Sequence, residues 1–275
     1  MRVIGLRFSV IFLISCAYLD EIPPAITVEL GEHVVSLSII EPGEFTMGAE
    51  ETDPASSPSH LVRIHRPFQM MTTEVSQALF EHALQRNPSQ FKHSNHPVER
   101  VSWFDAIELS NALSRMNELD PCYHIDETGV QWPSGLDCTG WRLPTEAEWE
   151  FAAKGNPRWW SPSGAYAGSP WFDRVAWGKH NSKQHSHPLA QLLPNSNGLY
   201  DMSGNVAEWV WDAYQPYNDE TQDDPFVSEP EEHRISRGGG WPDYLIELQS
   251  HTRSIDGPEW RFDWVGVRLV RTHPK

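Results

Sequence analysis

Residues 140–153 read Gly-Trp-Arg-Leu-Pro-Thr-Glu-Ala-Glu-Trp-Glu-Phe-Ala-Ala, and the middle of this stretch carries a helix start. Thr145 follows a proline, and Glu148 lies three residues on, so hydroxyl and carboxylate can each satisfy the other's exposed amide. Gly155 supplies the stop. The same device stands upstream at Ser102-Trp103-Phe104-Asp105, where Trp103, Ala106, Ile107 and Leu113 fall on an inward stripe. A further helix is expected to open at Thr72 or Thr73. Its stripe is Val75, Ala78, Leu79, His82 and Ala83, and Asn87-Pro88 ends it.

Between these helices the chain is β-rich or turn-rich. Ala25 to Leu30 and Val34 to Ile40 read as strands around Gly31-Glu32-His33, and Pro42-Gly43 turns into Glu44 to Gly48. Residues 49–59 read as a surface loop, and His60 to Phe68 alternates again. After Gly155 short apolar strands separate turns, down to Val265–Val270, and no internal repeat is seen. With 13 Trp, 22 Pro and 18 Gly among 275 residues, the class is α+β, irregular and loop-rich. A hydrophobic content of 39% supports a core, while length alone allows one large domain or two small ones. The net charge of −17 comes with no basic run, which argues against nucleic acid, whose phosphates need Lys and Arg to neutralise them. Asp219 to Glu232 holds seven acidic residues and no Lys or Arg, the mark of a solvated loop.

The N-terminus differs from the rest. Arg2 and Arg7 precede a short apolar run from Phe8 to Ile14, too short for the roughly 20 residues a bilayer span needs. Leu13-Ile14-Ser15-Cys16 resembles the box of a bacterial lipoprotein signal. That reading makes 1–15 a signal peptide, Cys16 the lipidated residue and 16–24 a tether. Ala17 after the cysteine implies outer-membrane sorting, with the membrane as a partner through the anchor. The alternative is an ordinary secretory signal that discards Cys16, and both export the chain. Cys122 and Cys138 then remain, flanking a Pro-, Gly- and Asp-rich segment with little core of its own. A disulfide closing such a loop contributes about 3 kcal/mol in the chain-entropy account. Free thiols or a metal pair are the alternatives, but neither CxxC nor an adjacent Cys/His cluster supports zinc.

Six fragments occur in one order: EPGEFTMG (41–48), HPVERVSWFDA (96–106), GWRLPTEAEWEFAA (140–153), NGLYDMSGNVAEW (197–209), RGGGW (237–241) and GVRLV (266–270). Together they resemble the formylglycine-generating enzyme, or sulfatase-modifying factor, family. The resemblance implies one domain over 25–272 with a C-type-lectin-like fold, Trp-rich packing, and N- and C-terminal strands brought together. Enzymatic members oxidise a sulfatase cysteine with oxygen and a copper ion held by two cysteines just after the RGGS-type strand. Here no cysteine follows Cys138. The polar groups beyond RGGGW are Asp243, Tyr244, Glu247 and His251, which cannot reproduce the soft dithiolate that suits Cu(I). Copper is therefore not expected. A second enzymatic branch, resembling ergothioneine-type sulfoxide synthases, places its iron ligands in an extra helical domain not found in this chain. His180, His185 and His187 invite a metal reading, but loop histidines are more often solvated or structural.

Calcium is the better metal expectation. By family correspondence its ligands are the Asp201 and Glu208 carboxylates and the Gly204 and Val206 carbonyls, all hard oxygen donors. A second site would begin at Asn181 and the Ser182 carbonyl. The competing reading makes Asp201 and Glu208 ordinary hydrogen-bonding residues of a tight turn. The functional expectation is a surface-anchored, non-catalytic binding or structural scaffold that takes an envelope protein or peptide. The alternative is a divergent oxidoreductase with another constellation in the same cleft. Convergence of Asp243, Tyr244, Glu247 and His251 would favour the enzyme.

Overall fold

Both capping boxes form. The computed structural model describes residues 22–50, 53–155, 165–167, 169–228 and 232–273. Residues 1–15, Cys16 and the tether before Ile22 therefore lie outside the described residues. Thr145 Oγ1 accepts the Glu148 N–H and Glu148 Oε2 accepts the Thr145 N–H, at 3.1 and 2.9 Å. They open the helix Glu146–Lys154, which Gly155 ends by donating to the Phe151 carbonyl. Ser102 and Asp105 open Trp103–Met116 in the same way, with Trp103, Ala106, Ile107 and Leu113 buried. The earliest helix starts later than expected, at Gln77–Leu84 under a Ser76 cap. Residues 72–75 stay outside the helix because Thr72 donates to the Ser36 carbonyl and Val75 to the Val267 carbonyl, which anchors them to backbone distant in sequence. Gln85 takes a left-handed φ of 55° and closes the helix two residues before Asn87.

In chain order the elements are β1 Ile26–Leu30, β2 His33–Ile40, β3 Gly43–Met47, β4 His60–Ile64, β5 Phe68–Met71, α1 Gln77–Leu84 and α2 Trp103–Met116. There follow β6 His124–Asp126, β7 Gly129–Gln131, β8 Trp141–Arg142, α3 Glu146–Lys154, β9 Ala176–Trp177, β10 Ser203–Gly204 and β11 Ala207–Ala213. The last are β12 Gln222–Asp223, β13 Arg234–Arg237, β14 Arg253–Asp256, β15 Val265–Gly266 and β16 Val270–Thr272. A five-stranded antiparallel sheet runs β1-β2-β5-β16-β8, so the first and last strands share one sheet. A four-stranded sheet runs β14-β13-β11-β15 and a three-stranded one β12-β4-β3. The terminal strand expected over 265–270 is split. Val265 pairs with Ala207 and Val270 with Met70, and the bend between them turns Arg268 inward.

Strand periodicity divides the core. On β11, Ala207, Trp209 and Trp211 join one cluster with α1 and α2, whereas Val210 faces the other, built on α3, β3 and β4. Five tryptophans are almost fully buried: Trp103, Trp141, Trp149, Trp209 and Trp211. Four of their indoles find partners: Trp103 donates to the Val210 carbonyl, Trp209 to the Val101 carbonyl, Trp149 to Glu208 and Trp211 to Ser228 Oγ. Cys122 and Cys138 form the expected disulfide, Cα atoms 5.6 Å apart, against the first cluster.

Candidate functional site

Three arginines of the sequence fragments, Arg142, Arg237 and Arg268, are buried and paired with carboxylates, and these pairs set the loops around the site. Arg142 meets Glu148 with two bonds of 2.6 and 2.7 Å. Arg237, at the end of β13, reaches Glu146 at 2.6 Å, Glu150 at 2.5 Å and the Ser250 carbonyl at 2.7 Å. Burial opposes its charge, but Glu150 and Glu146 more than offset this and hold its pKa above the ordinary value. Arg253 also takes Glu146, and Arg268 holds Glu208. Fork-shaped guanidinium groups suit such bidentate contacts. A buried ion pair adds little net stability by itself, but losing one partner strands the other charge.

Beyond Arg237 the chain enters Gly238-Gly239-Gly240-Trp241 and a loop over 241–252. Gly239 has φ +63°, and a Cβ there would lie 2.7 Å from the Glu247 carbonyl oxygen, so only glycine lets the loop fold back so closely. The four cleft candidates do not converge. Asp243 accepts the Gly240 N–H at 2.7 Å, and burial raises its pKa. Glu247 accepts the Tyr244 N–H at 2.7 Å. Tyr244 is exposed, its hydroxyl accepting from Lys179 Nζ, which also lies 4.0 Å from the ring centre. His251 sits apart, half-buried near Glu150 and Arg237, its pKa lowered by burial.

What does converge is aromatic. Trp241 is pinned by its N–H on the Asn205 carbonyl, its indole on the Asp263 carbonyl, and Ser182 Oγ on its own carbonyl. Phe91 lies edge-on to it at 5.7 Å and 6.1 Å from His185. His185 is 4.8 Å from His187, which stacks on Trp177 at 3.8 Å. All five rings are half-exposed. Buried His96, bonded to Ser186 Oγ at 3.1 Å, stands behind them with His93 4.6 Å away. Burial first, then the fields of His93, His185 and His187, lowers its pKa to about 4. His180 leaves the group for Asp173 and Phe172. Sequence reasoning noticed the 180–187 histidines but not their meeting with His93 and His96. The repeated short spacings His93/His96 and His185/His187 were the only signal.

The calcium candidates divide. Asp201 is buried with φ +57°; one oxygen accepts the Ala190 N–H at 2.8 Å and Oδ1 has no hydrogen-bond partner. Burial moves its pKa up to about 6. Beside it lies Glu74, which the sequence did not single out: neither carboxylate oxygen has a hydrogen-bond partner among the described residues, and burial followed by the Asp201 charge raises its pKa well above the usual range. These orphaned hard oxygens suit Ca²⁺. Glu208, by contrast, is engaged by Arg268 and by the Trp149 indole at 2.6 Å. Gly204 and Val206 lie on the same buried turn. Asn181 and Ser182 are held within their own loop. Asn181 bonds Gly178 and Ala176, and the Ser182 carbonyl accepts from His187 Nε2 at 2.7 Å.

A loop-rich, Trp-packed, arginine-locked fold with no cysteine after Cys138 defines a sulfatase-modifying-factor-type domain. The chain belongs to the family described as sulfatase-modifying factor enzyme 1-like domain, which matches residues 27–273. It is 34% identical over 234 residues to the chaperone protein LppX of Paenibacillus barcinonensis, covering 72% of this chain and 78% of the relative. It is 30% identical to the inactive C-alpha-formylglycine-generating enzyme 2 of Mus musculus, covering 68% of this chain but 60% of that protein. Among solved structures, Treponema denticola variable protein 1 superposes with a TM-score of 0.82 at 27% identity, over 91% of this chain and all of that one.

Proposed function

We propose that this chain is an exported, membrane-anchored, non-catalytic binding protein that receives a protein or peptide on the face formed by Phe91, Trp177, His185, His187 and Trp241. One observation carries the reading: Asp243 and Glu247 accept backbone N–H groups of their own loop, Tyr244 takes Lys179, and His251 bonds none of these three. Partly exposed rings, with Trp241 and His187 held by hydrogen bonds, give contact area at low entropic cost, as binding faces do. The chaperone name of one relative and the inactive status of another point the same way. Calcium, as a structural ion, would be held by Asp201 with Glu74 and the nearby Gly204 and Val206 carbonyls. It would supply positive charge to a cluster in which Arg268 is already committed to Glu208.

The test is an assay with a cysteine-containing sulfatase peptide, copper, oxygen and reductant. No aldehyde above the enzyme-free background is expected. Aldehyde formation would instead establish the oxidoreductase alternative with a new set of residues. In parallel, a crosslinker placed at the Trp241 face should capture an envelope protein or peptide, and Trp177→Ala with Trp241→Ala should abolish capture.

A further inference from the structure

Away from that face, the tip of the β1–β2 hairpin meets the last turn of α1. Leu30 pairs with His33, so Gly31 and Glu32 form a two-residue loop. Gly31 has φ +63° and Glu32 does not share the left-handed region, the habit of a type II′ turn with glycine first. A Cβ on Gly31 would lie 2.5 Å from His82 Nε2, so glycine is what lets the imidazole rest on the turn. The His33 and His82 rings stand edge to face, centres 4.9 Å apart at 67°. Glu32 Oε1 lies 3.7 Å from His82 Nδ1 and 4.0 Å from His33 Nε2. One ligand atom from each of the three residues falls within 4.8 Å of the other two.

We propose that Glu32, His33 and His82 form an open three-ligand site for a divalent transition-metal ion, with Zn²⁺ the reference case. Bonds of 2.0–2.2 Å in a tetrahedral ion set ligand atoms roughly 3.3–3.5 Å apart. The present spacings approach this, and Glu32, its side chain 79% exposed, is free to rotate the remaining distance. Two imidazoles and one carboxylate suit Zn²⁺, Cu²⁺ or Ni²⁺, whereas Ca²⁺ and Mg²⁺ want an all-oxygen shell. His82 lies in the final turn of α1, where unpaired carbonyls place partial negative charge that favours a cation. The ligands come from a hairpin on the sheet edge and a packed helix, so two of them are pre-positioned by the fold. The fourth corner faces solvent and takes water.

Calorimetric titration of the mature chain with Zn²⁺, in excess Ca²⁺ to occupy oxygen sites, tests the assignment. One equivalent is expected to bind, and His33→Ala and His82→Ala should each weaken it by at least about tenfold. His124→Ala should leave it unchanged, since that histidine is exposed on β6 and pairs with Asp126. Zinc K-edge absorption should report two imidazoles per ion. Wild-type affinity retained in His33→Ala, or no zinc uptake at micromolar concentrations, would overturn the site. Should His82→Ala fail to fold, His33→Ala and Glu32→Gln, both on the hairpin tip, decide the matter.

Discussion

Asp201 shows how one backbone conformation and one orphaned oxygen shape a residue's role. Its positive φ is a conformation that Asn also accepts, so Asp201→Asn removes charge without backbone strain. A ligand that binds only the folded state stabilises it by mass action. Calcium should therefore raise the thermal midpoint of the native protein and leave that of Asp201→Asn unmoved. Identical melting curves with calcium and with chelator, and no metal by elemental analysis, would reduce Asp201 to a turn residue. Glu208 is the wrong probe, because removing it strands the buried Arg268 whether or not an ion binds. His96 makes the second residue-scale case. Its folded pKa of about 4 lies below the ordinary 6.5, so the unfolded chain holds more protons between these values. Its contribution to stability is then full above about pH 6.5 and is lost as pH falls toward 4. His96→Gln should flatten that part of a stability–pH curve measured by denaturant titration; an unaltered slope would count against the assignment.

At the scale of elements, α3 and β13 depend on each other. The capping box that starts α3 is local, and losing the Thr145 hydroxyl costs about 1 kcal/mol. The contacts along its inner face are not local: Glu146 and Glu150 meet Arg237 of β13, and Glu146 also meets Arg253 of β14. Arg237→Met should destabilise the fold by about 3–5 kcal/mol, since it leaves the Glu150 charge buried with the Lys154 ammonium and the Gly48 N–H to answer it. Chemical denaturation followed by tryptophan fluorescence would measure this. A loss below 1 kcal/mol would mean the network relaxes or takes in water. The α1 start shows the limit of periodicity. Val75 lies on the helical stripe, yet its N–H is taken by the Val267 carbonyl, and a backbone contact nearly two hundred residues away in sequence outcompetes the first turn.

For the whole molecule, the anchor proposed at Cys16 would decide where the proposed binding face works. A diacylglycerol at Cys16 would add two acyl chains, enough to hold a protein on a bilayer where one chain is marginal. The mature protein should fractionate with membranes, and Cys16→Ala should release it. A soluble native protein with another N-terminus would sink the lipoprotein reading. Capping boxes, the disulfide loop and the family fragments were legible in the chain itself, because each depends on residues close in sequence or on the fragments' order. The absence of a copper dithiolate was legible too, since cysteines that do not occur cannot be supplied by folding. The pairings Arg237–Glu146, Arg268–Glu208 and His96–Ser186 span 91, 60 and 90 residues, and no periodicity announces them. Only the tertiary structure decided that the cleft candidates part and the aromatic rings meet. Burial fixes which charge answers which, and a buried group's partner is whichever complementary group the packed strands bring within hydrogen-bond reach.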